Sequence, residues 1–298
     1  MYRTLITTEQ LMDLQRGGQP LMVFDCSFDL MTPSSGPQQF SEAHLPGAVY
    51  ANLATDLSAK HGDPGSTGVR TAGGADEPAS GGRHPLPNRE RFERWLCSVG
   101  FANGMQAVVY DRQGCLFCGR LWWMLKWAGH EAVAVLDGGL AAWQAAGGET
   151  VSGPAAAHFS SNFKLGTPLV RLVSAQQVAQ GLGDARQTLV DARAEARYRG
   201  EVEPLDPVAG HIPGALNRPF GQNLGADGRF KPPAQLRQEF EQLLAGRDPA
   251  GVVHQCGSGV SAVPNLLAME LAGLGSTGLF AGSWSEWCSD PQRPVARG

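Results

Sequence analysis

Residues 252–263 read VVHQCGSGVSAV. An apolar run closes on one cysteine, Cys256, and three small residues lead toward a helix-like stretch, NLLAMELAGL (265–274). A thiol between a strand and a helix stands where ligands gather in parallel sheets, outside the carboxyl end of a strand. Gly257 and Gly259 carry no Cβ, so the chain can turn inward and aim successive N–H groups at one point. The start of the next helix adds partial positive charge there. Such surroundings lower a thiol's pKa from the free value of roughly 8.5, and thiolate is the nucleophilic form. Ser258 and Ser261 add hydroxyls that can donate to the sulfur or to a bound substrate. A cysteine that merely packs as a small hydrophobe needs no such ring. Cys256 is therefore read as a nucleophile held by the N–H groups of Gly257, Ser258, Gly259, Val260 and Ser261. A cysteine phosphatase would carry an arginine six positions after the thiol, where this chain has Ala262. The short loop also suits a sulfur atom better than a tetrahedral phosphate.

The elements that must position this loop occur twice. FSEAHLPGAVYANL (40–53) is echoed by VAGHIPGALNRPF (208–220), so His-x-Pro-Gly-Ala begins at both His44 and His211. MVFDCS (22–27) matches TLVDAR (188–193), each run ending in aspartate, Asp25 or Asp191. VVYDRQGCLFCGRLWWMLKWAG (108–129) aligns without gaps with VVHQCGSGVSAVPNLLAMELAG (252–273), and DGGLAAW (137–143) with AGSWSEW (281–287). The chain is a duplicated domain, and the first copy has Asp111-Arg112 where the repeat would place the thiol. In both copies apolar strands alternate with helices, which predicts an α/β fold: tandem domains, each a parallel sheet flanked by helices on both faces. The expected division is 1–148 for a catalytically silent first domain, 149–167 for a linker rich in small residues, and 168–298 for a catalytic second domain. The irregular stretch 57–83 is too long for an ordinary connection, so it is either functional, as a lid or docking segment, or mobile.

Composition narrows the class. The 298 residues are 42% hydrophobic and 17% charged, with a formal net charge of −4, so no basic footprint points to nucleic acid. The start is amphipathic and carries acids, unlike a signal peptide, and no apolar run approaches the roughly 18 residues of a membrane span. The six cysteines are scattered (26, 97, 115, 118, 256, 288), which suits a reducing compartment, with cytoplasm the expectation. His and Cys never cluster at ligand spacing, so no metal is expected. Cys115 and Cys118 form a possible redox pair, CLFC, but lie in the copy without the nucleophile and are read as packing residues, as are Cys26, Cys97 and Cys288. His44 and His211 recur in both copies and are read as structural. His254 is read as buried on its strand. Trp122, Trp123 and Trp127 form one helix face of the core; Trp284 either joins the core or lines the pocket.

The duplicated domain, the paired His-x-Pro-Gly-Ala, the run Cys256-Gly257-Ser258-Gly259-Val260-Ser261 and the closing GSWSEW together resemble the two-domain rhodanese family of sulfurtransferases. The resemblance implies that the cysteine of the second copy accepts a sulfane sulfur, becomes a persulfide, and hands the sulfur to a thiophilic acceptor: cyanide, a small thiol or a protein thiol. It implies no organic cofactor and no metal. Thiosulfate-specific members resemble Cys-Arg-x-Gly, whereas Cys-Gly-Ser-Gly-Val looks like the 3-mercaptopyruvate branch. There a serine, a histidine and an aspartate are proposed to relay a proton. Ser258 matches the serine, and His84 in GGRHPLP matches the histidine, reaching over from the first copy; Asp56 is the nearest aspartate. A carboxylate donor also needs a cation, ideally a bidentate arginine. Arg197 matches the first of the branch's two substrate arginines. The second should fall within 201–211, which holds no Arg or Lys and has Asp206 near the expected place. Arg199 or Arg193 could substitute, although Arg193, just after Asp191, better suits anchoring the loop. The readings left open are a 3-mercaptopyruvate sulfurtransferase, a thiosulfate:cyanide sulfurtransferase, and a non-enzymatic persulfide carrier or interaction module.

Overall fold

Among the described residues ten short runs become strands, and they assemble into two five-stranded sheets. The first contains β1 (Leu5–Ile6), β2 (Leu21–Asp25), β3 (Val49–Tyr50), β4 (Gln106–Tyr110) and β5 (Val133–Leu136), in the order β1-β5-β4-β2-β3. The second contains β6 (Arg171–Leu172), β7 (Thr188–Asp191), β8 (Leu216–Asn217), β9 (Val252–Gln255) and β10 (Gly278–Leu279), in the order β6-β10-β9-β7-β8. Every pairing between these strands is parallel. The second order is the first advanced by five strands, so the sequence repeat is a repeat of topology. This computed structural model describes residues 1–59, 77–155 and 157–298.

Both central strands are buried along their whole length, β4 as QAVVY and β9 as VVHQ. That is expected of parallel strands covered on both faces. Neighbouring residues feed opposite faces: Leu189 and Val253 join Phe280, Trp284 and Trp287 on one side, while Val190 and Val252 join Leu236, Phe240 and Met269 on the other. The helix that leaves the candidate loop, Val263–Leu271, is buried from Val263 through Met269 and carries Pro264 in its first turn, where the missing N–H costs nothing. Local signals repeat with the topology. Thr7 with Gln10, and Ser174 with Gln177, form reciprocal capping boxes on the first helix of each copy. His44 stacks on Phe40 and its Nδ1 bonds the Phe40 carbonyl at 2.8 Å; His211 does the same with Tyr198 at 2.8 Å. Both histidines are turn anchors.

By contacts, the described residues separate into two units. One holds Met1–Ser58, Asn88–Leu169 and Ala226–Arg229; the other holds Ala59, residues 77–87, Val170–Gly225 and Phe230–Gly298. Two features differ from the sequence-based division. Residues 149–155 and 157–167 belong to the first unit: Val151 bridges His44, the Ser161 N–H donates to the Cys97 carbonyl at 2.9 Å, and Phe163 is fully buried beside Phe101. Residues 77–87 precede the first unit's helix Arg89–Ser98 yet pack with the second unit. Of the irregular stretch 57–83, residues 60–76 lie outside the described residues, and the lid and docking readings of that stretch go with them. Among the described residues no helix is long and apolar enough to cross a membrane.

Candidate active site

Cys256 follows β9 directly and is buried. The loop after it is held by GSWSEW. Ser283 Oγ accepts the Cys256 N–H at 3.0 Å, the Trp284 N–H donates to the Cys256 carbonyl at 3.0 Å, and the Ser285 N–H donates to the Gly257 carbonyl at 2.9 Å. Gly259 has φ +74°, and a Cβ there would be driven into the Ala281 backbone. Only glycine fits that turn. Among the described residues no acceptor, the Cys256 thiol included, takes the N–H groups of Gly257, Ser258, Val260 or Ser261. The loop thus presents a set of open donors at the start of a buried helix.

The first copy shows what the same loop does when it is closed. Its Asp111, at the position of Gln255, accepts N–H bonds from Gln113, Cys115, Phe117 and Cys118 at 2.9, 3.0, 2.8 and 2.9 Å. Those four donors correspond in the alignment to 257, 259, 261 and 262. A carboxylate already fills the anion position there. Arg112, which takes the place of the thiol, pairs with Asp25 at 3.1 Å. The first copy is therefore sealed against an external anion, while the second, with neutral Gln255, is not.

Two consecutive residues from the segment 77–87 face two consecutive residues of the loop, all within the second unit. His84 Nδ1 lies 2.8 Å from Ser258 Oγ, with both side chains buried. A Cβ on Gly257 would lie 3.2 Å from Arg83 Nη2 and 3.4 Å from Arg197 Nη1, so two guanidinium groups converge on the residue next to the thiol. Gly81 and Gly82 allow this approach: a Cβ at Gly81 would lie 2.8 Å from the Glu286 side chain, and one at Gly82 would lie 2.5 Å from the Gly282 carbonyl. The Arg83 N–H donates to Ser285 Oγ at 2.9 Å, so the platform that holds the thiol loop also holds this segment.

Acidic residues hold the guanidinium groups in place. Arg197 Nη2 pairs with Glu203 at 2.6 Å and with Asp206 at 3.3 Å, and the other Asp206 oxygen pairs with Arg83. Burial raises the Glu203 carboxyl, but hydrogen bonds and charge from Arg197 outweigh it and leave Glu203 below its ordinary range. For Asp206 burial wins over the neighbouring Arg83, and its carboxyl is raised. Arg193 anchors the segment that follows Asp191: it pairs with Asp191 at 2.7 Å and with Glu203 at 3.3 Å, donates to the Gly210 carbonyl, and lies 4.8 Å from the Trp284 ring centroid. Trp284 is fully buried and belongs to the core. Arg199 is half-exposed and pairs with Glu195 and Glu201, away from this cluster.

The structure thus brings together Cys256, Gly257, Ser258, Gly259, Val260, Ser261, His84 and Arg197. Asp56 lies in the first unit, where its carboxylate accepts the Asn52 N–H at 2.8 Å and the Thr55 hydroxyl at 3.1 Å. Arg83 was not among the sequence candidates. Its signal was adjacency to His84, combined with an acid, Asp206, standing where a second cation was expected. Among the described residues no group of three or more His, Cys, Asp or Glu could hold a metal ion. An open donor set, two guanidinium groups and a His–Ser pair beside one thiol can bind a small anion, activate the sulfur and move a proton.

Comparison with known proteins finds relatives over nearly the whole chain. The profile described as "Rhodanese-like domain" matches twice, at residues 7–146 and 174–290. A Pseudomonas aeruginosa protein named "Probable 3-mercaptopyruvate sulfurtransferase" is 45% identical over 99% of this chain and 98% of its own length. A Mycobacterium tuberculosis relative, provisionally named thiosulfate sulfurtransferase SseB, is 38% identical over 99% and 98% of the two chains. The crystal structure of SseA from Escherichia coli, described with the 3-mercaptopyruvate sulfotransferases, superposes with a TM-score of 0.76 at 27% identity, covering 94% of this chain and 98% of that one.

Proposed function

The chain belongs to the rhodanese-like family and is a sulfurtransferase, and on that footing we propose that Cys256 takes sulfur from 3-mercaptopyruvate and passes it to a thiophilic acceptor. The observation that carries this reading is the convergence of two guanidinium groups on Gly257, the residue after the thiol, with His84 against Ser258 one residue further on. The donor carboxylate rests on Arg197. The Cys256 thiolate, stabilised by the ring of N–H groups, attacks the donor's sulfur. The carbon–sulfur bond breaks, its electron pair moves onto the carbon fragment, and pyruvate leaves once that carbon is protonated. His84 and Ser258 manage this proton. Cys256 is left as a persulfide. Cyanide, a small thiol or a protein thiol then attacks the outer sulfur and restores the thiolate. The chemistry draws on the chain's own groups, without organic cofactor or metal. The six cysteines are unpaired, which supports a reducing compartment such as the cytoplasm.

Mass spectrometry of protein treated with 3-mercaptopyruvate in the absence of acceptor tests the step directly. The expected result is one added sulfur on the peptide containing Cys256, and none in the Cys256→Ser variant, whose turnover falls about a thousandfold or more. Sulfur on a different cysteine, or turnover surviving in Cys256→Ser, contradicts the proposal. A specific observation keeps thiosulfate in view as the alternative donor: Asp206, an acid, stands in the segment where a second arginine for a carboxylate donor was expected.

A further inference from the structure

We propose that Arg83 is the second donor-binding arginine of this site, forming with Arg197 a two-guanidinium clamp for the carboxylate of an α-keto acid donor, and that Asp206 is the positioning residue that holds the clamp. The inference rests on the 3-mercaptopyruvate reading and names the residue that would set its selectivity. Three observations carry it. Both guanidinium groups reach the same point: a Cβ on Gly257 would lie 3.2 Å from Arg83 Nη2, and 3.4 and 3.6 Å from Arg197 Nη1 and Nη2. One carboxylate joins them, since Asp206 pairs through one oxygen with Arg83 and through the other with Arg197 at 3.3 Å, with its side chain only 4% exposed. The Arg83 backbone is fixed, because its N–H is bound to Ser285 and Gly81 and Gly82 are pressed against residues 282–286.

The charge arrangement explains the sequence. Residues 201–211 contain no Arg or Lys, and the acid at 206 fits a clamp whose second arginine arrives from elsewhere in the chain. Glu203 holds Arg197 from one side, Asp206 bridges to Arg83, and Arg83 Nε is buried without a partner among the described groups. Two planar forks turned toward one point can share a carboxylate, each giving paired N–H donors. The carboxyl group lies two carbons from the donor sulfur. A clamp over Gly257, the residue after Cys256, is therefore within reach of a molecule of that length whose sulfur is at the thiol.

The test compares 3-mercaptopyruvate with mercaptoacetone, which keeps the keto group and the sulfur but lacks the carboxylate, using the full chain with cyanide as acceptor. For Arg83→Ala the expected result is a 10- to 100-fold fall in the ratio of kcat/KM for 3-mercaptopyruvate to that for mercaptoacetone, carried mainly by KM. Arg197→Ala should change the ratio in the same direction. An unchanged ratio, with both donors losing rate alike, means that Arg83 only supports the fold or His84, and overturns the proposal. The exchange Arg83→Asp with Asp206→Arg keeps the ion pair and returns a guanidinium to the cluster, so it should regain selectivity that Arg83→Asp alone has lost. Failure of the exchanged protein to exceed the single variant also overturns the proposal. Wild-type protein in the same assay separates the two levels. No turnover of 3-mercaptopyruvate by wild type defeats the functional reading, whereas wild-type turnover with an unaltered ratio in Arg83→Ala defeats only the clamp.

Discussion

His84 and His254 show how two histidines of one unit come to different ends. His84 is placed against Ser258, two residues after Cys256, at 2.8 Å, where a proton can be passed between the two side chains. Replacing it by glutamine keeps a polar side chain but removes the imidazole. Steady-state kinetics of His84→Gln with 3-mercaptopyruvate should show kcat down by about 100-fold and KM changed far less; a pure KM effect would make His84 a binding residue. His254 instead lies fully buried on β9 with Nε2 3.2 Å from Met269 Sδ, and burial lowers its pKa from 6.5 to about 3. The unfolded chain binds the proton first as pH falls. Stability is therefore full above about 6.5 and declines toward 3, at a limit of about 1.4 kcal/mol per pH unit. Urea denaturation at pH 7 and pH 5 should show the difference shrinking by about 2 kcal/mol in His254→Leu, and an unaltered difference would contradict this assignment. At this scale residue type and motif singled out Cys256, Ser258, His84 and Arg197 as candidates, and the fold brings them into one unit. Arg83 could not be read that way, because its partner Asp206 is 123 positions along the chain and only folding brings the two together.

Loops and short elements carry the constraints that side chains obey. Gly259 and Gly257 sit two residues apart and should respond oppositely to the same substitution. At Gly259, φ +74° and the Ala281 backbone leave no room, so Gly259→Ala should cost about 2 kcal/mol or more, lower the melting temperature and displace the loop. At Gly257 the neighbours of an added Cβ are the ends of two arginine side chains, which can give way. Gly257→Ala should melt within about a degree or two of wild type while raising KM for a carboxylate donor. Equal thermal effects at both positions would show that the two glycines do not divide the work as described. The strands and helices were legible because apolar runs and the helix-like stretches between them act locally. The stretch 149–167 was less so: its small, polar composition reads as linker, yet Phe163 anchors it by burial against Phe101. One buried aromatic outweighs many loop-forming neighbours.

At the scale of the whole molecule, duplication is the organising fact, and it was visible in the sequence as four matched blocks that return as two sheets of identical order. The two copies have diverged at the loop. Asp111 fills the first with its own carboxylate, whereas the second has neutral Gln255 at that position and Cys256 after it. The division of the chain between units was only partly legible, because residues 77–87 precede the helix Arg89–Ser98 in sequence yet pack with the second unit. Sequence order and spatial membership part company there, and that segment delivers both Arg83 and His84. The central claim is that this open loop, with its arginines, selects an α-keto carboxylate as sulfur donor. It is tested most directly by kcat/KM on the purified protein with 3-mercaptopyruvate and with thiosulfate, cyanide as acceptor and Cys256→Ser as blank. The account predicts preference for 3-mercaptopyruvate by at least about tenfold. An equal or greater kcat/KM for thiosulfate would contradict it.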